Sequence, residues 1–393
     1  MTEQQKNTLP VTETRLERKK ESFDPGYFLR KNVVPIFFLV LCIIGGYYSG
    51  LSLPFLANEI ITRMARNSFL VISLIIPILA GMGLNFGIVL GAMAGQFAYV
   101  VTVNWEMAGL SGFLMTCILS VPLAIVFGWL TGRLFNRAKG KEMISGIILG
   151  FFANGLYQLV CLFFMGRIIP IRVPSMLLST GVGLRNTLDI KAMHYALDNI
   201  WKVRIKIPGF VFPIMIPMAT IAVIVVLCLF IRFIVKTKLG QEFRAVGQDR
   251  HIAEVAGIKV DRVRIIAIIF STVLAGLGQV IFLQNLGNIN TYGSHVQVGT
   301  FAVAAILIGG ASVKKATISQ ALLGTLLFHT LFIVSPLAGK NLVGDAMIGE
   351  YFRVFVTYGV IGIALALHAW QSLQQRKTVT VEAASEPVSG GGK

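Results

Sequence analysis

Charge is scarce in this chain, and acid is scarcer than base. Only 13% of the 393 residues are charged, and 18 Asp and Glu stand against 35 Lys and Arg. A soluble globular domain carries about a quarter charged residues, so the composition excludes an ordinary soluble fold. Catalytic signatures are missing too. No GxxxxGK[ST] occurs, so the chain does not cradle nucleotide phosphates by a P-loop. Nor is there an HExxH, a CxxC or a GxSxG nucleophile elbow. Cys42, Cys117, Cys161 and Cys228 all lie inside apolar stretches and read as small buried hydrophobes, not as a disulfide framework or metal set. His194, His251, His295, His329 and His368 are scattered without ligand spacing. No catalytic residue and no metal site is expected. No cleavable signal is expected either, because the first thirty residues are polar and charged.

What is abundant is apolar sequence: 55% of residues are hydrophobic, and the mean hydropathy is +0.75. Ten nearly uncharged stretches stand out, at 33–53, 68–82, 81–100, 110–130, 143–165, 210–234, 265–283, 299–310, 317–335 and 352–370. About twenty apolar residues cross ~30 Å of hydrocarbon as a helix. Backbone groups in lipid must be satisfied within the span. The expectation is an all-α, polytopic membrane bundle of about ten transmembrane helices. Arg63 and Arg66 would fall in a loop between the first two spans, and Glu350 with Arg353 at a boundary before the last. Proton- or sodium-driven carriers bury a carboxylate at the midplane. With few acids inside these spans, the energy source is expected outside this chain.

A net charge of +17 would suggest nucleic acid in a soluble protein. No aromatic-interleaved basic stripe supports that reading, and no nucleic-acid partner is expected. Basic residues at the cytoplasmic face of a membrane, against anionic lipid, explain the excess. With both termini in the cytoplasm, 23 of the 35 basic residues fall inside, in 1–32, 133–141, 236–264, 314–315 and 371–393. The opposite loop, 167–208, holds seven, but long loops translocate largely regardless of charge. The layout is then a cytoplasmic tail at 1–32, a membrane domain at 33–370 and a flexible cytoplasmic tail at 371–393.

Polar residues inside the spans carry the functional information. Five glycines, Gly81, Gly83, Gly87, Gly91 and Gly95, surround Asn85 and run up to Gln96. Such a pattern serves either close helix packing or a broken helix lining a pathway. Asn154 and Gln158 are four apart and share a helical face. Gln284 and Asn288 begin an amide-rich stretch that ends at His295. Asn85, Gln96, Asn154, Gln158, Gln284 and Asn288 are therefore candidates to contact a hydroxyl-rich solute, and each could instead bond helix to helix.

The stretch 236–264 is the longest strongly polar segment between apolar ones, with seven basic residues. Its middle, 249–256, makes about two helical turns, and Gly257 suits the terminating position. Ala245, Gly247, Ala253 and Ala256 interleave with Asp249, Arg250 and Glu254. A short helix with small residues seats in a partner's groove while its charges fix orientation. A solvated loop without a partner is the alternative.

Read as Gly240, Arg244-Ala245-Val246-Gly247, Ala253, Gly257-Ile258 and Asp261-Arg262-Val263, then STVLAGLGQ at 271–279, this segment resembles a known element. It is similar to the coupling loop of bacterial ABC-importer permeases of the ribose-type sugar, nucleoside and branched-chain amino-acid group. GLNFG at 83–87, KEMISGIIL at 141–149 and ILIGGAS at 306–312 agree more loosely. The resemblance implies a type II importer-like bundle in the bacterial inner membrane. It pairs with a second permease subunit, identical or sister, and with cytoplasmic ABC ATPases that bind the ATP, leaving no cofactor in this chain. An extracytoplasmic binding protein delivers the solute. Arg244, Gly247, Asp249, Arg250, Ala253, Glu254, Ala256, Gly257 and Ile258 would then face or orient the ATPase. The KEMIS segment looks like the sugar and nucleoside branch. Yet Asn85-Phe86-Gly87 is followed by Ile88-Val89-Leu90, where nucleoside-type relatives place an acid and Gly-Gln close behind. A simple sugar or nucleoside is the favoured cargo. Branched-chain amino acids, a vitamin, or a stand-alone secondary carrier remain alternatives.

Overall fold

A computed structural model describes residues 32–206, 213–355, 357–363 and 366. The tails expected before residue 32 and at 371–393 lie outside the described residues. The helices are α1 Val33–Ser49, α2 Leu53–Ile72, α3 Ile75–Leu79, α4 Ile88–Asn104, α5 Gly109–Arg137 and α6 Glu142–Leu159. They continue as α7 Met218–Lys236, α8 Lys238–Gln248, α9 Arg250–Val255, α10 Val260–Leu286, α11 Val298–Ile308, α12 Ile318–Val343 and α13 Ala346–Ile363. A π-helical turn, Val160–Phe164, prolongs α6. Among the described residues, four short strands, β1 Thr187–Asp189, β2 Lys202–Ile205, β3 Ile214–Pro217 and β4 Asn288–Asn290, make two antiparallel pairs, β1 with β4 and β2 with β3.

Among the described residues, seven helices are long and apolar enough to cross a membrane. They are the joined α2–α3, α5, α6 with its π turn, α7, α10, α12 and α13. Three shorter apolar helices, α1, α4 and α11, accompany them. The ten apolar stretches of the sequence thus become seven spanning-length helices and three that fall short.

At the centre stands α10, packed against α5, α4 and α2. Small residues make that packing possible. A Cβ on Gly91 would overlap the Thr272 carbonyl oxygen, one on Gly95 would lie 2.5 Å from Gly276 O, and one on Gly128 2.8 Å from Ile269 Cα. Backbones this close exchange the side-chain layer for dispersion contacts between main chains, as lipid-embedded helices do. Gly309 and Gly324 bring α11 onto α12 in the same way. By contrast α6 and α7 show most of their apolar surface outward, with Phe151, Phe152, Val226 and Phe233 all exposed. Those faces suit hydrocarbon.

Several expected boundaries move. Arg63 and Arg66 are not in a loop, since α2 begins at Leu53 and carries both in its interior. Their charge is tolerated there because Arg63 Nε pairs with Glu59 at 3.3 Å, one turn away, and Arg66 donates to Asn285 Oδ1 at 3.1 Å. The Arg66 guanidinium also lies 5.5 Å from the Phe282 ring centroid. The last long helix begins at Ala346, so Glu350 and Arg353 form an ion pair inside it instead of marking its boundary. The stretch 236–264 is helical for most of its length, as α8 and α9. The span expected from 210 starts as α7 only at Met218, after strand β3.

Candidate functional site

Two polar constructions interrupt the apolar bundle, one at the end that carries α8 and α9 and one deep between the long helices. At the first, α8 follows α7 after a turn at Thr237, whose hydroxyl accepts from Gly240 N. Arg244 Nη2 reaches back to Val235 O at 2.9 Å. Asp249 then caps α9, its Oδ1 accepting Ile252 N at 2.9 Å. An acidic cap at a helix start satisfies an orphan N–H and favours the dipole. The helix is six residues long. It ends where Gly257 takes φ +81°, a left-handed conformation that other residues adopt at a cost. Arg250 ties the cap to α10, with Glu254 Oε1 at 3.1 Å and Asp261 Oδ1 at 3.4 Å.

The faces of α9 differ from the sequence expectation. Ala253 is 2% exposed and turned into its own bundle, while Ile252 and Val255 are 67% and 77% exposed. Glu254, Ala256 and Gly257 share the exposed side, and Ile258 is half-buried. Small residues drew the eye in the sequence, yet the surface a partner would meet is set by two bare aliphatic side chains. Ile252 and Val255 are three apart, a one-face spacing that could have flagged them.

Gly247 joins α8 to the rest of the protein. A Cβ on it would collide with the Leu79 carbonyl oxygen, and one on Gly81 would lie 2.7 Å from Gly247 Cα. The contact is backbone to backbone, against the break between α3 and α4. Asn85 closes that break. Its Oδ1 accepts Gly87 N at 2.9 Å and its Nδ2 donates to Ser271 Oγ at 3.2 Å, so its amide is consumed in shaping the turn. Beside it, Glu142 and Arg264 form an ion pair between the starts of α6 and α10.

The deep construction gathers three of the six candidate pathway amides around a histidine. Gln96 on α4 donates through Nε2 to Asn290 O at 3.1 Å and Thr291 O at 2.6 Å. Its Oε1 lies 3.0 Å from His295 Nδ1, and His295 Nε2 lies 2.9 Å from the Asn154 amide on α6. Asn154 in turn meets Gln158 at 3.4 Å. Gln96 and His295 are fully buried, and Asn154 and Gln158 half so. Tyr157 stacks its ring edge on His295, with centroids 4.8 Å apart. Next to Tyr157 an open apolar cavity of about 350 Å³ lies between α4, α5 and α6, lined by Met93, Phe97, Phe127 and Leu149 among others.

Gln284 and Asn288 do not join this chain. Gln284 Oε1 accepts Leu197 N at 3.3 Å and so holds the long segment between α6 and α7. Asn288 is exposed in β4, beside a shallow pocket with Thr187, Lys191 and His194. That long segment straps over the polar chain: Thr291 N donates to Asn186 O at 2.7 Å, and Tyr195 N to Gln284 O at 3.0 Å. Its anchor is Asp198, buried, which accepts from Thr220 Oγ1 and from Asn285 Nδ2. Asn285 passes the contact on to Arg66.

A family described as branched-chain amino acid transport system/permease component matches residues 56–365. The chain belongs to that family. This permease is 26% identical over 293 residues to the fructose import permease protein FruG of Bifidobacterium longum, a match covering 72% of this chain and 77% of that one. It is 25% identical over 283 residues to the nucleoside ABC transporter permease protein NupC of Lactococcus lactis subsp. cremoris, covering 70% and 79%. With the autoinducer 2 import system permease protein LsrC of Photorhabdus laumondii it shares 24% over 288 residues, covering 73% and 68%. No solved structure matches it. The permease is a multi-pass component of a bacterial membrane importer, and its family is one of transport, not of enzymes. His295 and Gln279 are the residues of its polar core that sequence reasoning missed, because a lone histidine and a lone amide carry no spacing signal.

Proposed function

We propose that this permease moves a small neutral solute, a simple sugar or a nucleoside, through the bundle while a separate ABC ATPase docks on α9 and supplies the energy. On this reading that end, and with it both chain termini, lies on the cytoplasmic side. The strap between α6 and α7 then faces outward, where a substrate-binding protein delivers cargo. A second permease subunit, identical or sister, completes the pathway. The observation that carries the reading is the pair Ile252 and Val255, bare aliphatic side chains on a capped, charge-oriented helix outside the membrane-spanning helices. Exposed apolar side chains rimmed by polar residues mark protein contacts. Gly247 and Gly81 then pass movement of α8–α9 into the α3–α4 break, and so into the helix that carries Gln96. Coupling of this kind links nucleotide state to solute access through one packed element.

The relatives named for fructose and nucleosides support the cargo class, as does the amide-and-imidazole character of the deep site. The test is purification from the native membrane, followed by reconstitution of the intact complex and uptake of labelled fructose and adenosine. Co-purification of an ABC ATPase with ATP-dependent uptake is expected. Uptake by the permease alone, driven only by a solute gradient, would make it a secondary carrier and refute the proposal.

A further inference from the structure

We propose that His295 and Gln96 form a hydrogen-bonding station for a neutral, hydroxyl-bearing solute, and that Asn154 of α6 holds it shut. The inference rests on the permease reading and adds to it a place and a polarity.

The polarity follows from partners. Gln96 Nε2 gives its hydrogens to the Asn290 and Thr291 carbonyl oxygens, which can only accept. The amide is therefore fixed with Oε1 toward His295, and Nδ1 is the ring nitrogen that carries a proton. Among the described residues, the groups on the ring are Gln96, Asn154, Tyr157 and, along the chain, Ser294; none is acidic. A charged imidazole without a counter-charge is costly among apolar helices, so the ring is neutral and Nε2 is an acceptor. Asn154 is placed with Oδ1 at 2.9 Å from Nε2, which would set two acceptors together. Turning that amide over, together with the Gln158 amide that otherwise donates to its Oδ1 at 3.4 Å, presents an NH₂ to Nε2 and keeps every donor opposite an acceptor. A solute hydroxyl does the same as the turned amide. The exchange of Asn154 for solute conserves one hydrogen bond.

The structure makes Asn154 the movable partner. Its helix, α6, exposes Phe152 at 70% and is among the least covered spanning helices. Past Leu159 it ends in the π turn Val160–Phe164, with Met165 N bonding Val160 O at 3.2 Å. π turns are rare in helices and frequent at functional sites. His295 and Gln96, by contrast, are held by α4 and by the 288–297 segment under the strap.

A second observation points to a ligand. Two buried polar atoms at the station have no partner, the Tyr157 hydroxyl and Gln279 Oε1. The hydroxyl has Cys161 and Gln96 within interaction range but makes no well-formed hydrogen bond. The Gln279 amide is held by Nε2 on Ser294 O at 3.3 Å, next to His295, and is fully buried. One donor-acceptor hydroxyl and one acceptor, added to Nε2, match a polyol or a ribosyl group and offer no cation for a carboxylate.

The assay uses the complete complex in proteoliposomes, with labelled fructose and adenosine. His295→Leu is expected to lower uptake per ATP hydrolysed about tenfold, the worth of one buried hydrogen bond, with binding-protein-stimulated hydrolysis retained. His295→Gln, which can still accept, should recover most of it, and Asn154→Ala should allow solute to leak without ATP. Uptake by His295→Leu equal to wild type overturns the station. If that variant does not assemble, ¹⁵N spectra of histidine-labelled wild-type complex decide. They should show an Nδ1–H tautomer whose Nε2 resonance moves on adding either solute. An unmoved resonance, or a doubly protonated ring, overturns it. Failure of the permease reading is separate: wild-type complex would then show no ATP-dependent uptake at all.

Discussion

Replacing Gly247 by alanine tests whether α8–α9 drives the α3–α4 break. A Cβ there collides with the Leu79 carbonyl oxygen and lies 3.0 Å from Gly81 N. Relaxed contacts between carbons sit near 3.5–4.0 Å, so the two backbones must part by about 1 Å. Neither side can yield by turning a side chain, because both are main chain. At its other end α8 is pinned, with Gly240 against Val235 and Arg244 on Val235 O. The displacement therefore tilts α8–α9 about the turn at Thr237. Overpacking of this size costs about 1–3 kcal/mol. If the contact is the coupling element, that corresponds to a loss of about five- to 150-fold in coupling. The assay is uptake per ATP hydrolysed in proteoliposomes, beside the melting temperature of the purified complex. Gly257→Ala is a comparison that alters the docking helix alone. It strains a φ of +81° with nothing within 4 Å of the added carbon, so it perturbs α9 without touching the bundle. A Gly247→Ala complex with wild-type uptake per ATP would refute the argument.

Other outcomes follow from neighbouring features. Ile252→Asp and Val255→Asp leave the melting temperature unchanged but abolish ATPase co-purification. Ala253→Asp instead lowers folded yield, since it buries an unpaired charge. Glu142→Ala strands Arg264 in a site where its side chain is 5% exposed and costs about 3–5 kcal/mol, whereas the double change Glu142→Leu with Arg264→Met recovers most of it by thermal melting. Asp198→Asn turns an amide NH₂ toward one of two donors, Thr220 or Asn285, at about 1–3 kcal/mol. Hydrogen exchange then quickens in the strap around 187–200 and in 284–292, and slow exchange there would contradict the anchoring role.

Much of the bundle was legible because lipid imposes few solutions. Long uncharged runs become helices, and Gly91 and Gly95 serve packing against α10. Gln96, one residue on, serves the polar core, so the two readings of that glycine-rich stretch apply to different residues. Asn154 and Gln158 share a face as their spacing requires. Arg63 and Arg66 misled because a charge in an apolar run reads as a loop, and the groups that accommodate Arg66, Asn285 and Phe282, lie more than two hundred positions along. His295 was invisible for a related reason: its role is created by Gln96 and Asn154. No local spacing encodes that meeting. Ala253 and Ile252 traded expected places because a six-residue helix gives too little periodicity to tell its faces apart.

The shortness of α11 bears on how the protein is made. At 11 residues it reaches only about 16 Å, roughly half the hydrocarbon thickness. Such a segment has too little apolar length to partition into lipid as it leaves the ribosome. It must enter as the middle of a three-part insertion unit with α10 before it and α12 after it, drawn in when Gly309 and Gly324 close on each other's helices. Nascent chains that stop before α12 would leave α11 outside the bilayer, and the His295 segment with it. The polar core is therefore among the last parts of the permease to exist.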